Sequence, residues 1–191
     1  MHILLIDNYD SFTYNLVQLL RESGVKHRLH IVKNTLTSDD LPTEADKVLI
    51  SPGPGLPEES GNLMAMIAHY VRQQKPILGI CLGHQALALH FGARMKQLPL
   101  GFHGADHVLY QGPMAGKLFS EVAQQFVAGR YHSWIVDHKT LPESLLPTAY
   151  DEAGRLMGFR HVNLPIDALQ FHPESYITVD GQQMMTNWLK L

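Results

Sequence analysis

Short apolar runs alternate with stretches of helical periodicity through the first half of this chain. Runs with strand character occupy residues 2–6, 28–32, 47–50 and 76–80. Between them, apolar residues recur at helical spacing over residues 12–22, 62–74 and 84–91. Strands that alternate with helices in this way predict a parallel sheet with helices on both faces.

The pattern changes after Gly101. Short strand-like runs follow at residues 107–110, 125–128, 156–160 and 167–171, and a further helical stretch spans residues 181–189. We interpret these runs as antiparallel additions to the same sheet, because no linker or repeat interrupts the chain. The predicted fold is therefore α/β, with an open, mostly parallel sheet in a single domain over residues 1–191.

Composition narrows the class of protein without choosing a function. Apolar residues make up 45% and charged residues 17% of the 191 residues, as in ordinary globular proteins. The net charge of -3 gives no reason to expect a nucleic-acid partner. No stretch reaches the ~18 apolar residues typical of a membrane span, and the N-terminus lacks a secretory pattern. One cysteine fits a reducing compartment, so we expect a cytoplasmic protein without a membrane partner.

That cysteine, Cys81, lies in a motif that favours a nucleophile. A strand enters Gly79-x-Cys81-x-Gly83 and a helix leaves it, as in the G-x-S-x-G nucleophile elbow. The helix N-terminus favours a thiolate, and the backbone N–H of Leu82 is placed to donate to an oxyanion. The alternative is a buried, inert cysteine, which is the commoner outcome for a lone cysteine.

A cysteine nucleophile needs a base, and His172 is the best candidate among the twelve histidines. It follows a strand-like run, so it shares a sheet edge with Cys81 if the two strands are neighbours. Glu174, two residues on, projects to the same side in an extended segment and can orient the imidazole. The alternative for His-Pro-Glu is a plain surface turn.

The residues around this pair predict a small substrate pocket. The loop Ser51-Pro52-Gly53-Pro54-Gly55 follows a strand and can bring backbone N–H groups to a substrate, with Gly53 as the partner of Leu82. A phosphate cradle is disfavoured because no G-K-[ST] is present, but a surface turn stays open. Gln85 lies one helical turn after Cys81 and can reach the same pocket, although a solvent-facing glutamine is commoner.

A zinc site is the remaining chemical alternative. His103 and His107 are four residues apart, but Gly101 and Gly104 disfavour the helix that would align them. No H-E-x-x-H motif and no pair of cysteines is present. We therefore expect neither a metal ion nor an organic cofactor.

Four motifs together resemble the class I, triad-type glutamine amidotransferases, which have a flavodoxin-like α/β fold. They are residues 79–85 (GICLGHQ), 51–55 (SPGPG), 130–133 (RYHS) and 170–175 (QFHPES). The opening residues 7–15 (DNYDSFTYN) are similar to the glutaminase subunits of anthranilate synthase and aminodeoxychorismate (para-aminobenzoate) synthase. The resemblance covers essentially the whole chain.

The resemblance implies a reaction and a partner. Cys81 would attack L-glutamine to give a thioester and ammonia, with His172 as acid and base and Glu174 as its orienter. Gly53 and Leu82 would bind the oxyanion. The substrate's backbone groups would be bound by a further set of matching residues, Pro54, Gly55, Gln85, Ser133 and Trp134. Ammonia would pass to a separate chorismate-utilising synthase subunit.

Four positions depart from the family's usual residues. Ala105 stands where lysine is common, Trp134 where leucine is usual, and Ala168-Leu169 where Gly-Val is usual. None of these removes a member of the predicted triad. The motifs leave anthranilate and para-aminobenzoate synthesis open as pathways. Two other classes also stay open, namely a stand-alone thiol hydrolase and a catalytically silent binding subunit.

Overall fold

The computed structural model describes residues 1–37, 40–102 and 104–191. Its strands are His2–Asp7 (β1), Arg28–Lys33 (β2), Lys47–Ile50 (β3), Ile77–Ile80 (β4), Met95–Gln97 (β5), Ala105–Gln111 (β6), Gln125–Arg130 (β7), Trp134–Val136 (β8), Leu145–Asp151 (β9), Leu156–His161 (β10) and Ile166–Leu169 (β11). Its α-helices are Thr13–Glu22 (α1), Leu63–Arg72 (α2), Leu82–His90 (α3) and Gly181–Lys190 (α4).

Nine of these strands form one sheet in the order β2-β1-β3-β4-β11-β10-β9-β6-β7. The pairings from β2 to β11 are parallel, and those from β11 to β7 are antiparallel. Only β10 and β6 therefore oppose the common direction among the described strands of this sheet. The predicted α/β fold, with antiparallel strands added to a parallel sheet, is confirmed.

The core lies on both faces of the sheet. Along β1, Ile3 and Leu5 belong to one buried cluster, which also contains side chains of α1 and α4. Leu4 and Ile6 belong to a second cluster, together with side chains of α2 and α3. Successive residues of a strand point to opposite faces, so helices cover both sides as the alternation of strands and helices predicts.

The structure corrects several predicted element boundaries. Helix α3 begins at Leu82, two residues earlier than its apolar periodicity indicates, because the turn at Cys81 leads into it directly. The strand predicted to reach residue 171 ends at Leu169. Sequence patterns missed β5 and β8, which are three residues long and pair with each other, and β9, whose Pro147 and mixed burial obscure any alternation.

This topology brings several polar segments to one edge. Because β1, β3, β4 and β11 are parallel neighbours, their carboxyl ends meet at the same edge of the sheet. The residues that follow these four ends are Asn8, Ser51, Cys81 and Gln170, and each of them is buried. Open α/β sheets bind ligands at this edge.

Candidate active site

Cys81 occupies the sharp turn between β4 and α3. Its backbone has φ 50° and ψ −98°, a conformation that costs a non-glycine residue energy and is typical of functional sites. A Cβ on Gly79 would lie 2.7 Å from Gly83, and one on Gly83 would lie 2.9 Å from Ile50. The two glycines are therefore required by close backbone approach, and the predicted elbow is present.

His172 lies where its strand predicted, at the same edge as Cys81. β11 is the parallel neighbour of β4, and Leu169 is in register with Ile80. The imidazole Nδ1 of His172 makes a 2.6 Å hydrogen bond to Oε1 of Glu174, and both side chains are buried. This geometry is incompatible with the alternative of a solvated surface turn.

The charge state of His172 follows from its neighbours. Burial alone would lower the pKa of the imidazole, but the Glu174 carboxylate and a thiolate at Cys81 outweigh it. The pKa of His172 is consequently raised well above its usual value. Its Nε2 has no hydrogen-bond partner within the described part of the chain, which leaves that nitrogen free to carry a proton to a reacting group.

Two other buried histidines near the site have the opposite behaviour. Burial lowers the pKa of His84 to about 3, and this ring packs against Phe159 with centroids 4.8 Å apart. Burial, reinforced by the Arg130 guanidinium, places the pKa of His132 well below its usual value. Both rings are therefore neutral at physiological pH, in contrast to His172.

Aromatic side chains surround the imidazole of His172. The ring of Phe12 lies 5.5 Å from it and that of Tyr131 lies 4.9 Å from it, both near edge-on. The Tyr131 hydroxyl is 3.1 Å from Oγ of Ser175. These contacts restrict the imidazole to one orientation and limit water around it.

A set of amides lies on the other side of the cysteine. Nε2 of Gln170 donates to the Cys81 sulfur at 3.6 Å. Nε2 of Gln85 donates to Oε1 of Gln170 at 3.2 Å and to the Trp134 carbonyl oxygen at 2.9 Å. Gln85 is therefore buried beside Cys81, where the sequence predicted that it can reach, and does not face solvent.

Gly53 and Leu82 are brought together as the motifs predicted. A Cβ on Gly53 would lie 2.6 Å from Cδ2 of Leu82 and 2.6 Å from Cβ of Asn8. Asn8 fixes the loop, because its N–H donates to Oγ of Ser51 and its Nδ2 donates to the Ser51 carbonyl. As the first residue of α3, Leu82 has a backbone N–H with no acceptor inside the helix.

Three predicted pocket residues lie at the rim. Pro54, Gly55 and Ser133 are exposed, and no hydrogen bond of their side chains to the cysteine or the amide set is present in the described residues. The Ser133 carbonyl accepts from the Leu98 N–H, which ties this rim to the segment after β5. Trp134 contributes its backbone carbonyl, as above, and its side chain is half-buried.

Sequence reasoning missed the buried ion cluster behind the site. Nη1 of Arg130 donates to Asp151 at 2.8 Å, and Nε of Arg155 donates to the same carboxylate oxygen at 2.6 Å. Arg130 also stacks over Phe102 at 3.6 Å and donates from Nε to His132 at 3.3 Å. In the sequence, the sign of this cluster was a charged Arg130 directly after an apolar run. Its partner Asp151 belongs to β9, which the apolar pattern did not reveal.

The described residues contain neither a metal-binding cluster nor a membrane-spanning helix. Over residues 1–37, 40–102 and 104–191, no three His, Cys, Asp or Glu side chains are grouped as a metal site would require. His103, one of the two histidines weighed for zinc, lies outside the described residues. Within the same part of the chain, no helix combines the length and the apolarity needed to cross a membrane.

The chain belongs to the class I glutamine amidotransferase family, whose model, described as glutamine amidotransferase class-I, matches residues 4–191. Anthranilate synthase component 2 of Mycobacterium tuberculosis is 38% identical over 191 residues, which cover 99% of this chain and 82% of the relative. Aminodeoxychorismate/anthranilate synthase component 2 of Bacillus subtilis is 41% identical, over 98% of this chain and 95% of the relative. The resemblance carried by the motifs is thus confirmed.

A solved structure agrees with this assignment. The crystal structure of a Thermoplasma acidophilum protein, proposed to be one of the subunits of GMP synthase, aligns with a TM-score of 0.87 at 27% identity. The alignment covers 100% of this chain and 92% of that protein. The α/β architecture described above is therefore shared with a solved protein along its whole length.

Proposed function

We propose that this chain hydrolyses the side-chain amide of glutamine through a thioester at Cys81. The observation that carries the proposal is a strained cysteine elbow at the same sheet edge as a buried His172 that is hydrogen-bonded to Glu174. A thiolate and an imidazolium with a carboxylate orienter form the arrangement required for acyl transfer from an amide. Membership in the glutamine amidotransferase family supplies the substrate class.

In the first half-reaction, the Cys81 thiolate adds to the side-chain carbonyl carbon of glutamine. The C–S bond forms, and the carbonyl oxygen becomes an oxyanion that the N–H groups of Leu82 and Gly53 stabilise. His172 then protonates the amide nitrogen, the C–N bond breaks, and ammonia leaves. The product is a glutamyl thioester on Cys81 and a neutral His172.

In the second half-reaction, neutral His172 takes a proton from water, and the resulting hydroxide attacks the thioester. The oxyanion forms again in the same site, the C–S bond breaks, and the electron pair returns to the Cys81 sulfur as thiolate. The new carboxylic acid loses its proton to solvent, glutamate is released, and His172 is again the imidazolium. Glu174 stabilises that cation through the 2.6 Å hydrogen bond in both halves.

The buried amides and the exposed rim suggest how glutamine is oriented. Both N–H groups of the Gln85 side chain are used within the protein, so its Oε1 is the atom available to the substrate's ammonium group. Gly55, with φ 76°, can direct its N–H toward a carboxylate without a side chain in the way. Pro54, Ser133 and Trp134 complete this pocket in the proposal.

The proposed destination of the ammonia is a separate subunit that aminates chorismate. The relatives above are component 2 subunits, a name that implies a component 1. We propose anthranilate synthase as the first partner. Aminodeoxychorismate synthase is the second candidate, alone or together with the first, because the Bacillus subtilis relative is named for both.

Exposed apolar side chains beside the site support a partner there. Tyr176 is 90% exposed and Val179 is 82% exposed, on the segment that directly follows Glu174. Tyr14 of α1, the helix that follows the β1 end of the same edge, is 70% exposed. Large apolar side chains exposed at this edge favour a protein–protein contact there.

The test uses the single cysteine as its reporter. The purified chain should form a 1:1 adduct with a glutamine-mimicking diazoketone, and should release ammonia from glutamine faster with a chorismate-utilising synthase. Cys81→Ser should abolish both. The absence of both adduct and ammonia with either synthase would refute the proposal, while partner-independent hydrolysis of other amides would indicate a stand-alone thiol hydrolase instead.

A further inference from the structure

Gln170 is a polar side chain in direct contact with Cys81. It follows the end of β11, its side chain is fully buried, and its Nε2 lies 3.6 Å from the Cys81 sulfur. The Cys81 backbone N–H donates to the Leu169 carbonyl at 2.8 Å, which fixes the two segments at this point. A buried N–H that donates to an anion stabilises it more than a neutral hydrogen bond would.

The orientation of this amide follows from a backbone carbonyl. The Trp134 oxygen can only accept, so Gln85 must present its NH2 group to it. The second hydrogen of that NH2 group points to Gln170, which therefore presents its oxygen to Gln85 and its own NH2 group to the sulfur. In the reverse orientation, the NH2 group of Gln170 would face the NH2 group of Gln85, and its oxygen would face the Cys81 thiolate.

The Trp134 carbonyl is part of a longer hydrogen-bond chain. It also accepts from Nδ1 of His132 at 3.0 Å. Nε of Arg130 donates to Nε2 of the same ring, which leaves the ring proton on Nδ1, where it is needed. The buried ion pair of Arg130 with Asp151 is thus the far end of a continuous hydrogen-bond chain that ends at the Cys81 sulfur.

We propose that Gln170 is a further catalytic residue, whose amide N–H stabilises the Cys81 thiolate. Gln85 acts as its positioning residue through the hydrogen bond to Oε1. This inference rests on the proposed function, since it assigns a role in that reaction. The same N–H stabilises the sulfur when it leaves as thiolate from the thioester, so it assists the second half-reaction as well.

Substitution of Gln170 tests the donor separately from the shape. Gln170→Met keeps the length of the side chain and removes the N–H, and Gln170→Glu keeps the acceptor for Gln85 but places an anion against the sulfur. The pseudo-first-order rate of alkylation by iodoacetamide, measured against pH, reports the thiolate fraction without ambiguity because the chain has one cysteine. We expect the pH midpoint to rise by about one unit in Gln170→Met and further in Gln170→Glu.

The kinetic expectation is equally specific. For Gln170→Met, kcat for glutamine hydrolysis at neutral pH should fall about tenfold, which corresponds to about 1.4 kcal/mol, with KM changed less than about twofold. The matched control is Gln111→Met, which removes an amide that donates to the Val122 and Ala123 carbonyls at the far side of the sheet. Neither the midpoint nor kcat should change in it.

A folded Gln170→Met protein whose alkylation midpoint and kcat match the parent chain would overturn the inference. If Gln170→Met does not fold, Gln170→Asn serves as the test, because its shorter amide cannot reach both Gln85 and the Cys81 sulfur. An alkylation midpoint in Gln170→Asn that matches the parent chain would also overturn the inference. Alkylation does not require glutamine turnover. A failure of the proposed function would therefore appear as a parent chain that releases no ammonia from glutamine with either synthase, while the alkylation midpoints would still report the hydrogen bond to the sulfur.

Discussion

The two halves of the nine-stranded sheet contribute different things to the site. In the parallel half, β2 to β11, the strand ends lead directly into Cys81, the Gly53 loop and the segment of His172. In the antiparallel half, β10 to β7, the strand ends lead into Arg130 and Asp151, which lie behind the amides. The groups proposed to react come from the parallel half, and the antiparallel half contributes the buried Arg130–Asp151 pair behind them.

Strand direction explains this division. Neighbouring parallel strands all end at one edge, so consecutive βα units place their loops side by side there. Antiparallel neighbours alternate, so only β7 and β9 of the second half end at that edge, with Arg130 and Asp151. A buried pair from two such strands links them and supports the edge. Variants in the two halves should consequently fail in different ways.

Among the variants that compare the two halves, the largest effect is expected for His172→Asn in the parallel half. Loss of the acid and base should lower kcat for glutamine hydrolysis about 10³- to 10⁴-fold, because general acid–base catalysis contributes up to that range. Thermal unfolding should show that the variant stays folded at assay temperature. His30→Asn, an exposed change on β2, is the control and should keep full activity. Near-normal turnover in His172→Asn would contradict the proposed role.

Asp151→Asn in the antiparallel half should affect stability instead. Removing the carboxylate leaves the guanidinium of Arg130, which is 1% exposed, buried without its counter-charge. The expected cost is about 3–5 kcal/mol in the free energy of unfolding, measured by denaturant titration. Asp106→Asn, on an exposed position of β6, should change it by less than about 0.5 kcal/mol.

Activity per folded molecule decides whether the comparison of the halves holds. If Asp151→Asn acts only by unfolding, kcat corrected for the folded fraction should decline a few-fold at most. A loss of kcat as large as that of His172→Asn, in protein shown to be folded, would mean that the two halves are not functionally separate.

The sequence predicted the parallel half of the sheet better than the antiparallel half. In the parallel half, short apolar strands and glycine-flanked turns are local signals, so the sequence predicted Cys81, His172 and Glu174 at one edge. Gln170 belongs to a recognisable motif, but the sequence assigned it no role. Its contact with Cys81 joins residues 89 positions apart, so no local pattern could reveal it. The order β10-β9-β6-β7 depends on long-range pairing, and with β9 unrecognised, neither Asp151 nor its bond to Arg130 could be inferred.

Glu174→Gln should shift the pH dependence of activity. The carboxylate offsets the effect of burial on His172, so without it the pKa of His172 should fall. The imidazolium is the proposed acid, and the alkaline limb of kcat/KM should therefore move to lower pH, with a drop of about 10- to 100-fold at neutral pH. An alkaline limb that stays in place would contradict a role for Glu174 in holding the cation.

The same variant has a defined stability signature. A histidine whose folded pKa is raised contributes stability that is fully present below its unfolded pKa of about 6.5, and loses it as pH rises through the folded value. The free energy of unfolding of the parent chain should therefore exceed that of Glu174→Gln most near the unfolded pKa of histidine, about 6.5. The difference should shrink as the pH rises through the folded pKa of His172. Denaturant titrations across that window measure it directly.

The smallest effect is expected at the proposed partner surface, where variants at the two edges of the sheet can be compared. Val179 is 82% exposed at the carboxyl edge, and Val162 is 45% exposed between β10 and β11 at the opposite edge. If the synthase subunit docks at the carboxyl edge, Val179→Ser should weaken its binding about tenfold, as expected when burial of a valine side chain is lost. Val162→Ser should leave binding unchanged, because ammonia is produced at the carboxyl edge and Val162 lies at the opposite edge. Equal losses in titration calorimetry would place the contact elsewhere.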